Sequence, residues 1–434
     1  MDIGIIGILL FAFLIVLVIA GMPIAFAIGL SSLLGIWIFI GPNALSQLAV
    51  ISYKFGTDAT LILVPMFVVM AELLSKSGVA DQAFDAGSKW FSQVRGGLGA
   101  TAAFAGMLFG ACCGSSSGGT ATIGLAAMPQ LKKHGYDGGF AAGIIAAAGT
   151  LSIIIPPSAM LIIYGLLTEE SIGKLFIAGI LPGIVTTAIF VVYILVYAKF
   201  RPQNVEPDMP GVTWRDRFAS LKNIWVFILI ALGVLGSIYA GICTPTESAC
   251  VGAFLSLVVA ASYRKLTWRS LRDVLLSAAR ISCFIIFILF SAFTFSYLLT
   301  YLGIPQLIAE TIVKSGMSST AFVILTMLIF VLLGCLLDPA GILVLTLPTL
   351  VPVMRILNID FIWYGVLVTM CMMIGNLTPP VGLNLFVMKT IAPDIPMKRI
   401  IMGTAPFVAL IIVGMLMVFF FPQVATLLPN MMRN

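Results

Sequence analysis

The stretches LSIIIPPSAM (residues 151–160) and IGNLTPPVGLNL (residues 374–385) each set two consecutive prolines inside an apolar run. Proline carries no amide hydrogen. Pro156 and Pro157 therefore strip the helical donors from the carbonyls of Ser152 and Ile153, and Pro379 and Pro380 strip them from Gly375 and Asn376. In hydrocarbon a freed carbonyl needs another partner. A desolvated sodium ion is one, and Asn376, Thr378 and Asn384 add side-chain oxygens beside the second break. The bland alternative is a kink repaired by neighbouring helices. Its recurrence opposite a polar segment in both places weakens it.

Working outward, Pro379 minus Pro156 is 223, and the same offset carries Gly118 onto Gly341, Pro129 onto Pro352 and Asp137 onto Asp360. The shared order is a Gly- or Pro-containing tip, an apolar segment ending in proline, a polar turn, and a second apolar segment broken by Pro-Pro. This is an internal repeat. Ala20-Gly21 followed by Pro23 resembles Ala240-Gly241 followed by Pro245, which extends it toward the start of each half. The chain divides into a first half, residues 1–198, a hydrophilic linker, residues 199–223, and a second half, residues 224–434.

The composition is 61% hydrophobic and 9% charged, with mean hydropathy +1.15, more apolar surface than a water-soluble core of 434 residues would bury. A lipid bilayer is the expected solvent, and the expected fold is an all-α polytopic membrane protein of about ten spans plus two re-entrant hairpins. Residues 3–20 lack a basic flank and a cleavage site, so they read as a retained span. The hairpins are residues 98–131 and 320–353. With both termini on the periplasmic side, only Lys54, Lys174, Lys314, Arg355 and Arg433 of the 23 basic residues fall outside the cytoplasm. The hairpins then enter from opposite sides and the halves are inverted, an architecture of secondary transporters. Residues 79–93 and 263–277 are amphipathic and read as cytoplasmic interfacial segments.

The first tip, GACCGSSSGGTATIG (residues 110–124), places Ser115, Ser116, Ser117, Gly118, Gly119 and Thr120 where continuous apolar helix is otherwise expected. A helix starting near Thr120 would aim its N-terminal amides at mid-membrane, with hydroxyls around them. The second tip, GCLLDPAG (residues 334–341), pairs Asp338 with Pro339 ahead of Ala340 and Gly341. Asp then Pro is a strong helix start. A carboxylate in an apolar setting also reads as a cation or substrate site. Thr244, Pro245 and Glu247 spell a capping box. Arg280 sits where it can snorkel to water, His134 reads as solvated, and the seven cysteines read as packing residues. The basic residues lie in short loops and do not signal nucleic acid. No P-loop, HExxH or G-x-S-x-G motif occurs, so no enzymatic activity is expected.

The stretches RGGLGATAAFAGMLFGACCGSSSGGTATIG, MPQLKKHGYD, IIPPSAMLIIYG, GICTPTESA, LLDPAGILVLTLPTLVPV and IGNLTPPVGLNLFV together resemble the large membrane (M) subunit of tripartite ATP-independent periplasmic (TRAP) transporters. The resemblance spans nearly the whole chain. It implies an elevator-type carrier of the bacterial inner membrane, driven by sodium ions and taking up a small carboxylate, an organic acid or sialic-acid-like. It implies two partners, a periplasmic substrate-binding protein (P) and a small four-helix membrane subunit (Q), here expected as a separate chain. Its cation sites fall at the first tip with the first Pro-Pro break, and at residues 338–341 with the second. The first tip reads GSSSGGTA where many members read closer to GSAVADTA, so an acidic residue common there is missing. A stand-alone sodium/dicarboxylate symporter of the same superfamily and an ion channel are the alternatives.

Overall fold

The computed structural model describes residues 3–91, 93–201, 212–264 and 266–432. The middle of the linker, residues 202–211, and two basic residues used for orientation, Lys265 and Arg433, lie outside them. The described residues are helical, with no strand. The chain opens with α1 (Ile3–Ile19), α2 (Ile24–Gly35), α3 (Ser46–Gly56), α4 (Leu63–Ser77) and α5 (Val79–Phe91). Next come α6 (Gly97–Cys113), α7 (Ser116–Lys133), α8 (Gly138–Thr150), α9 (Ala159–Thr168) and α10 (Ile172–Phe200). A short α11 (Trp214–Ser220) precedes α12 (Trp225–Ala231), α13 (Ser237–Tyr239), α14 (Pro245–Ser262), α15 (Trp268–Tyr301) and α16 (Ile304–Lys314). The chain closes with α17 (Ser319–Gly334), α18 (Pro339–Ile356), α19 (Phe361–Leu377), α20 (Leu383–Ile391), α21 (Met397–Phe420) and α22 (Gln423–Asn430).

Capping residues set these boundaries. Asp137 accepts the Phe140 amide at 3.0 Å to start α8, and Asp360 accepts the Trp363 amide at 2.9 Å to start α19. Ser115 caps α7 and Asp338 caps α18. The capping box is present, the Thr244 amide donating to Glu247 at 2.8 Å and the Glu247 amide to Thr244 Oγ1 at 3.3 Å. Helix α7 starts at Ser116 rather than near Thr120, so Ser116, Ser117, Gly118 and Gly119 form its first turn.

Two helices form the centre. Every residue of α8 from Gly139 to Thr150, and of α19 from Tyr364 to Leu377, is buried, as helices apolar all round must be. Helix α8 crosses α21 where a Cβ on Gly143 would meet the Gly403 carbonyl oxygen, so only glycine lets the two backbones approach. Helices α6 and α7 pack on α8, and α17 packs on α19. A second group joins α4 to α14 and α15, with α2 against α15. Outside, large apolar side chains such as Ile8, Leu125, Phe254, Leu332 and Met402 stand exposed, the surface expected where lipid is the solvent.

Among the described residues, six helical stretches are long and apolar enough to cross a membrane, including residues 172–200, 268–301 and 397–420. Helix α18 is also one of the six, although its residues belong to the segment read from sequence as a re-entrant hairpin. Length and apolarity alone do not separate spans from hairpins. One expectation is corrected. Residues 263–277 are no separate interfacial element, because from Trp268 onward they are the first turns of the 34-residue α15. The amphipathic helix that follows a span in the second half is α16, 225 residues after α5 (304 minus 79). Ile304, Leu307, Ile308 and Ile312 recur at helical spacing, a short pattern of three turns lying between longer apolar runs.

Among the described residues three ion pairs join the first half to the second, Arg399 to Asp137 at 4.0 Å being the longest. Lys132, in the last turn of α7, holds Asp394 at 2.7 Å, and Arg355, in the last turn of α18, holds Glu169 at 3.2 Å. The two cations stand 223 residues apart (355 minus 132).

Candidate functional site

Both proline pairs interrupt helices. Helix α8 tightens into a 3-10 turn, Leu151–Ile153, and the chain is extended or bent until α9 begins; α19 stops at Leu377 and α20 begins at Leu383. In each half the hairpin tip bonds to the segment just past the break. The Gly114 carbonyl accepts the Ala159 amide at 3.3 Å, and the Cys335 carbonyl accepts the Val381 amide at 2.9 Å. Gly114, at φ +63°, closes α6 in the left-handed region, where a side chain would be strained and would also meet the Pro157 carbonyl. Tip and break thus form one backbone unit in each half.

The freed carbonyls are only partly free. Ile153 O accepts the Ser158 hydroxyl at 2.5 Å, and Gly375 O accepts the Thr378 amide at 3.1 Å. The Thr378 hydroxyl turns back onto Ile374 O at 2.7 Å. This corrects the expectation that Ile153 and Gly375 offer bare oxygens, because residues just past each break fold back to supply donors.

Side-chain oxygens here also lack partners. Thr120 Oγ1, Ser152 Oγ and Asn376 Oδ1 are buried and make no hydrogen bond. Thr120 and Ser152 are fully buried where α7 meets the end of α8. A Cβ on Gly119 would collide with Ser152 Oγ, and one on Gly149 with Thr120 Oγ1. Such oxygens are costly unless something binds them. Asn384 departs from its expected place beside the second break. Its Nδ2 donates to Ser116 Oγ at 2.8 Å and to Ala146 O at 3.0 Å, so it bridges from α20 to the first tip. Helix α20 packs against α7, a pairing that sequence neighbours cannot reveal.

The two tips face one cavity of about 460 Å³. Ser115, Ser116, Ser117, Gly118, Ile153 and Pro157 line it from the first half, and Asp338, Ala340 and Asn376 from the second. Asp338 accepts the Ala340 amide at 3.1 Å, so its capping role is realised at the cavity edge. Gly119, Thr120, Ser152, Pro156, Gly341, Gly375, Thr378, Pro379, Pro380 and Asn384 are not among the lining residues, and Pro379 and Pro380 are exposed. Gly341 presses on Ile24 of α2, where an added Cβ would come within 2.6 Å.

Residues 11–424 match the family described as the tripartite ATP-independent periplasmic transporter, DctM component. The chain belongs to this family. It is 35% identical over 406 residues to the C4-dicarboxylate TRAP transporter large permease protein of Pseudomonas aeruginosa, covering 93% of this chain and 94% of that protein. It is 28% identical to the ectoine TRAP transporter large permease protein of Halomonas elongata, covering 97% of this chain and 98% of that protein. Among solved structures, the Alcanivorax borkumensis YdaH transporter superposes with a TM-score of 0.64 at 16% identity, over 88% of this chain and 90% of that one. At that identity the likeness is one of fold. As a TRAP large permease, the chain is a multi-pass membrane protein of a family whose members work with a small membrane subunit and a periplasmic binding protein.

Ten lining residues of this TRAP permease, on α4 and α15, fall outside the motifs. Glu72 and Ser75 lie on α4, and Ile281 and Phe284 on α15. Glu72 is half-buried. The available signal was a lone acid inside the apolar run LILVPMFVVMAELL, which marks a functional position as readily as Asp338 does.

Proposed function

We propose that this chain is the permease of a sodium-driven secondary transporter that takes up a small carboxylate, an organic acid or sialic-acid-like, delivered by a periplasmic binding protein. The carrying observation is the set of orphaned buried oxygens, Thr120 Oγ1 and Ser152 Oγ at one tip and Asn376 Oδ1 at the other. Neutral oxygens fit a hard alkali cation. Among the described residues no three His, Cys, Asp or Glu side chains come together, so a transition-metal centre has no counterpart there. In this reading sodium takes up Thr120, Ser152 and the first tip on one side, and Asn376 and Asp338 on the other. Filling both sites fixes the tips around the cavity, and the substrate carboxylate then meets the N-terminal end of α7 with its serines.

The two halves act as inverted repeats. Support comes from caps at Ser115 and Asp338, and at Asp137 and Asp360, each pair separated by 223 residues. Matched proline breaks and the cross-half ion pairs of Lys132 and Arg355 add to it. The unit built on α8 and α19 slides as an elevator against the group of α2, α4, α14 and α15, and both termini are periplasmic. The decisive experiment is uptake into proteoliposomes holding this chain with its small subunit, with binding protein outside. Uptake should need a sodium gradient and binding protein and show no steady conductance. Undiminished uptake without sodium would sink the coupling, and uptake without binding protein would favour a stand-alone symporter.

A further inference from the structure

The cavity between the tips has an unbalanced lining. Its ionisable acids are Glu72 and Asp338, and no lysine, arginine or histidine is among its lining residues. Asp338 is engaged by the amide of its own helix. Glu72 is half-buried on α4, with no ion pair among the described residues. Asn376, 1% exposed, lines the same cavity with an unpartnered Oδ1, an atom that can only accept. Glu72 calls for a donor, and Asn376 Oδ1 for a donor or a cation. The opposite character sits at the first tip, where α7 begins at Ser116 and its 18-residue dipole presents a positive end.

We infer that the cavity binds a small zwitterion, its carboxylate at the N-terminal end of α7 and its cationic nitrogen against Glu72. The inference rests on reading the cavity as the substrate site and narrows the substrate to a class. A dianion of similar size would set its second carboxylate against Glu72 with no basic side chain to offset the repulsion, while an N–H cation pairs with it.

Matched probes test it: 4-aminobutyrate (zwitterion), succinate (dianion) and butyrate (monoanion), three four-carbon acids, each measured for protection of the full chain with its small subunit against thermal unfolding in saturating sodium. The wild type should be half-protected by 4-aminobutyrate at a concentration at least about tenfold below succinate. Glu72→Gln should bring that ratio close to one, and Glu72→Asp should restore much of it. Succinate acting at equal or lower concentration than 4-aminobutyrate would overturn the inference and leave the transport reading standing. Protection by none of the three, with sodium still protecting, would overturn it as well. A Glu72→Gln variant that loses only sodium sensitivity would assign Glu72 to a cation site, which also overturns it.

Discussion

Thr120 and Ser152 illustrate how a single atom can be read as a site. Each is fully buried, and each carries an oxygen without a partner, a state that costs stability unless a ligand fills it. Thr120→Val keeps the shape and removes that oxygen. In sodium-free buffer the variant should melt no lower than the wild type, and the sodium concentration giving half-maximal protection should rise by about tenfold, a difference of roughly 1.4 kcal/mol. An unchanged sodium dependence would make Thr120 a packing residue. Asp338→Ala should abolish transport while folded protein still accumulates in the membrane, because a cap at one helix start is worth about 1 kcal/mol and the fold has many others. Proteoliposome uptake paired with a melting curve checks both parts. Gly143→Ala is the contrasting case, since its methyl enters the Gly403 carbonyl. It should destabilise the protein by about 1–3 kcal/mol in detergent unfolding, with no specific effect on sodium.

Elements are where the sequence patterns were easiest and hardest to read. Breaks at Pro-Pro, the helix start at Asp338, and the box at Thr244 were legible because each depends on residues within four positions of one another. The partner of α5 was not. An amphipathic stripe is visible only against its surroundings, and the basic residues of 263–277 gave a stronger contrast than α16 does, yet those residues continue into α15. At about 1.5 Å per residue its 34 residues reach about 51 Å, well beyond a hydrocarbon core of about 30 Å, so its basic start stands outside the bilayer. The link from α7 to the loop after α20 carries a pH signature. Lys132 holds the Asp394 carboxyl below the usual carboxylate range, chiefly through its hydrogen bond. A lowered folded value stabilises above the unfolded value, and the contribution is lost as pH falls through the folded one. Asp394→Asn should therefore lower the melting temperature slightly at neutral pH and leave the difference from wild type vanishing in acid. The effect is small because both side chains are substantially exposed.

For the whole molecule, burial sorts the helices into a centre, α8 and α19, and a flank holding α4, α14 and α15, with the tips and Glu72 at the boundary between them. Sodium binding only the folded form should raise the melting temperature with the logarithm of its concentration, and potassium at the same ionic strength should not. By itself the sequence determined the membrane solvent, the helical class, the offset of 223, the breaks and the polar tips, because each follows from composition or from residues adjacent along the chain. The tertiary structure alone decided which oxygens are satisfied. Ser158 reaches Ile153, Asn384 reaches the opposite half, and Thr120, Ser152 and Asn376 remain unpaired. It also brought Glu72 to the tips from a helix that shares no motif with them. Hydrogen-bond satisfaction and cavity lining depend on distances through space between segments far apart in the chain, and local pattern carries no record of them.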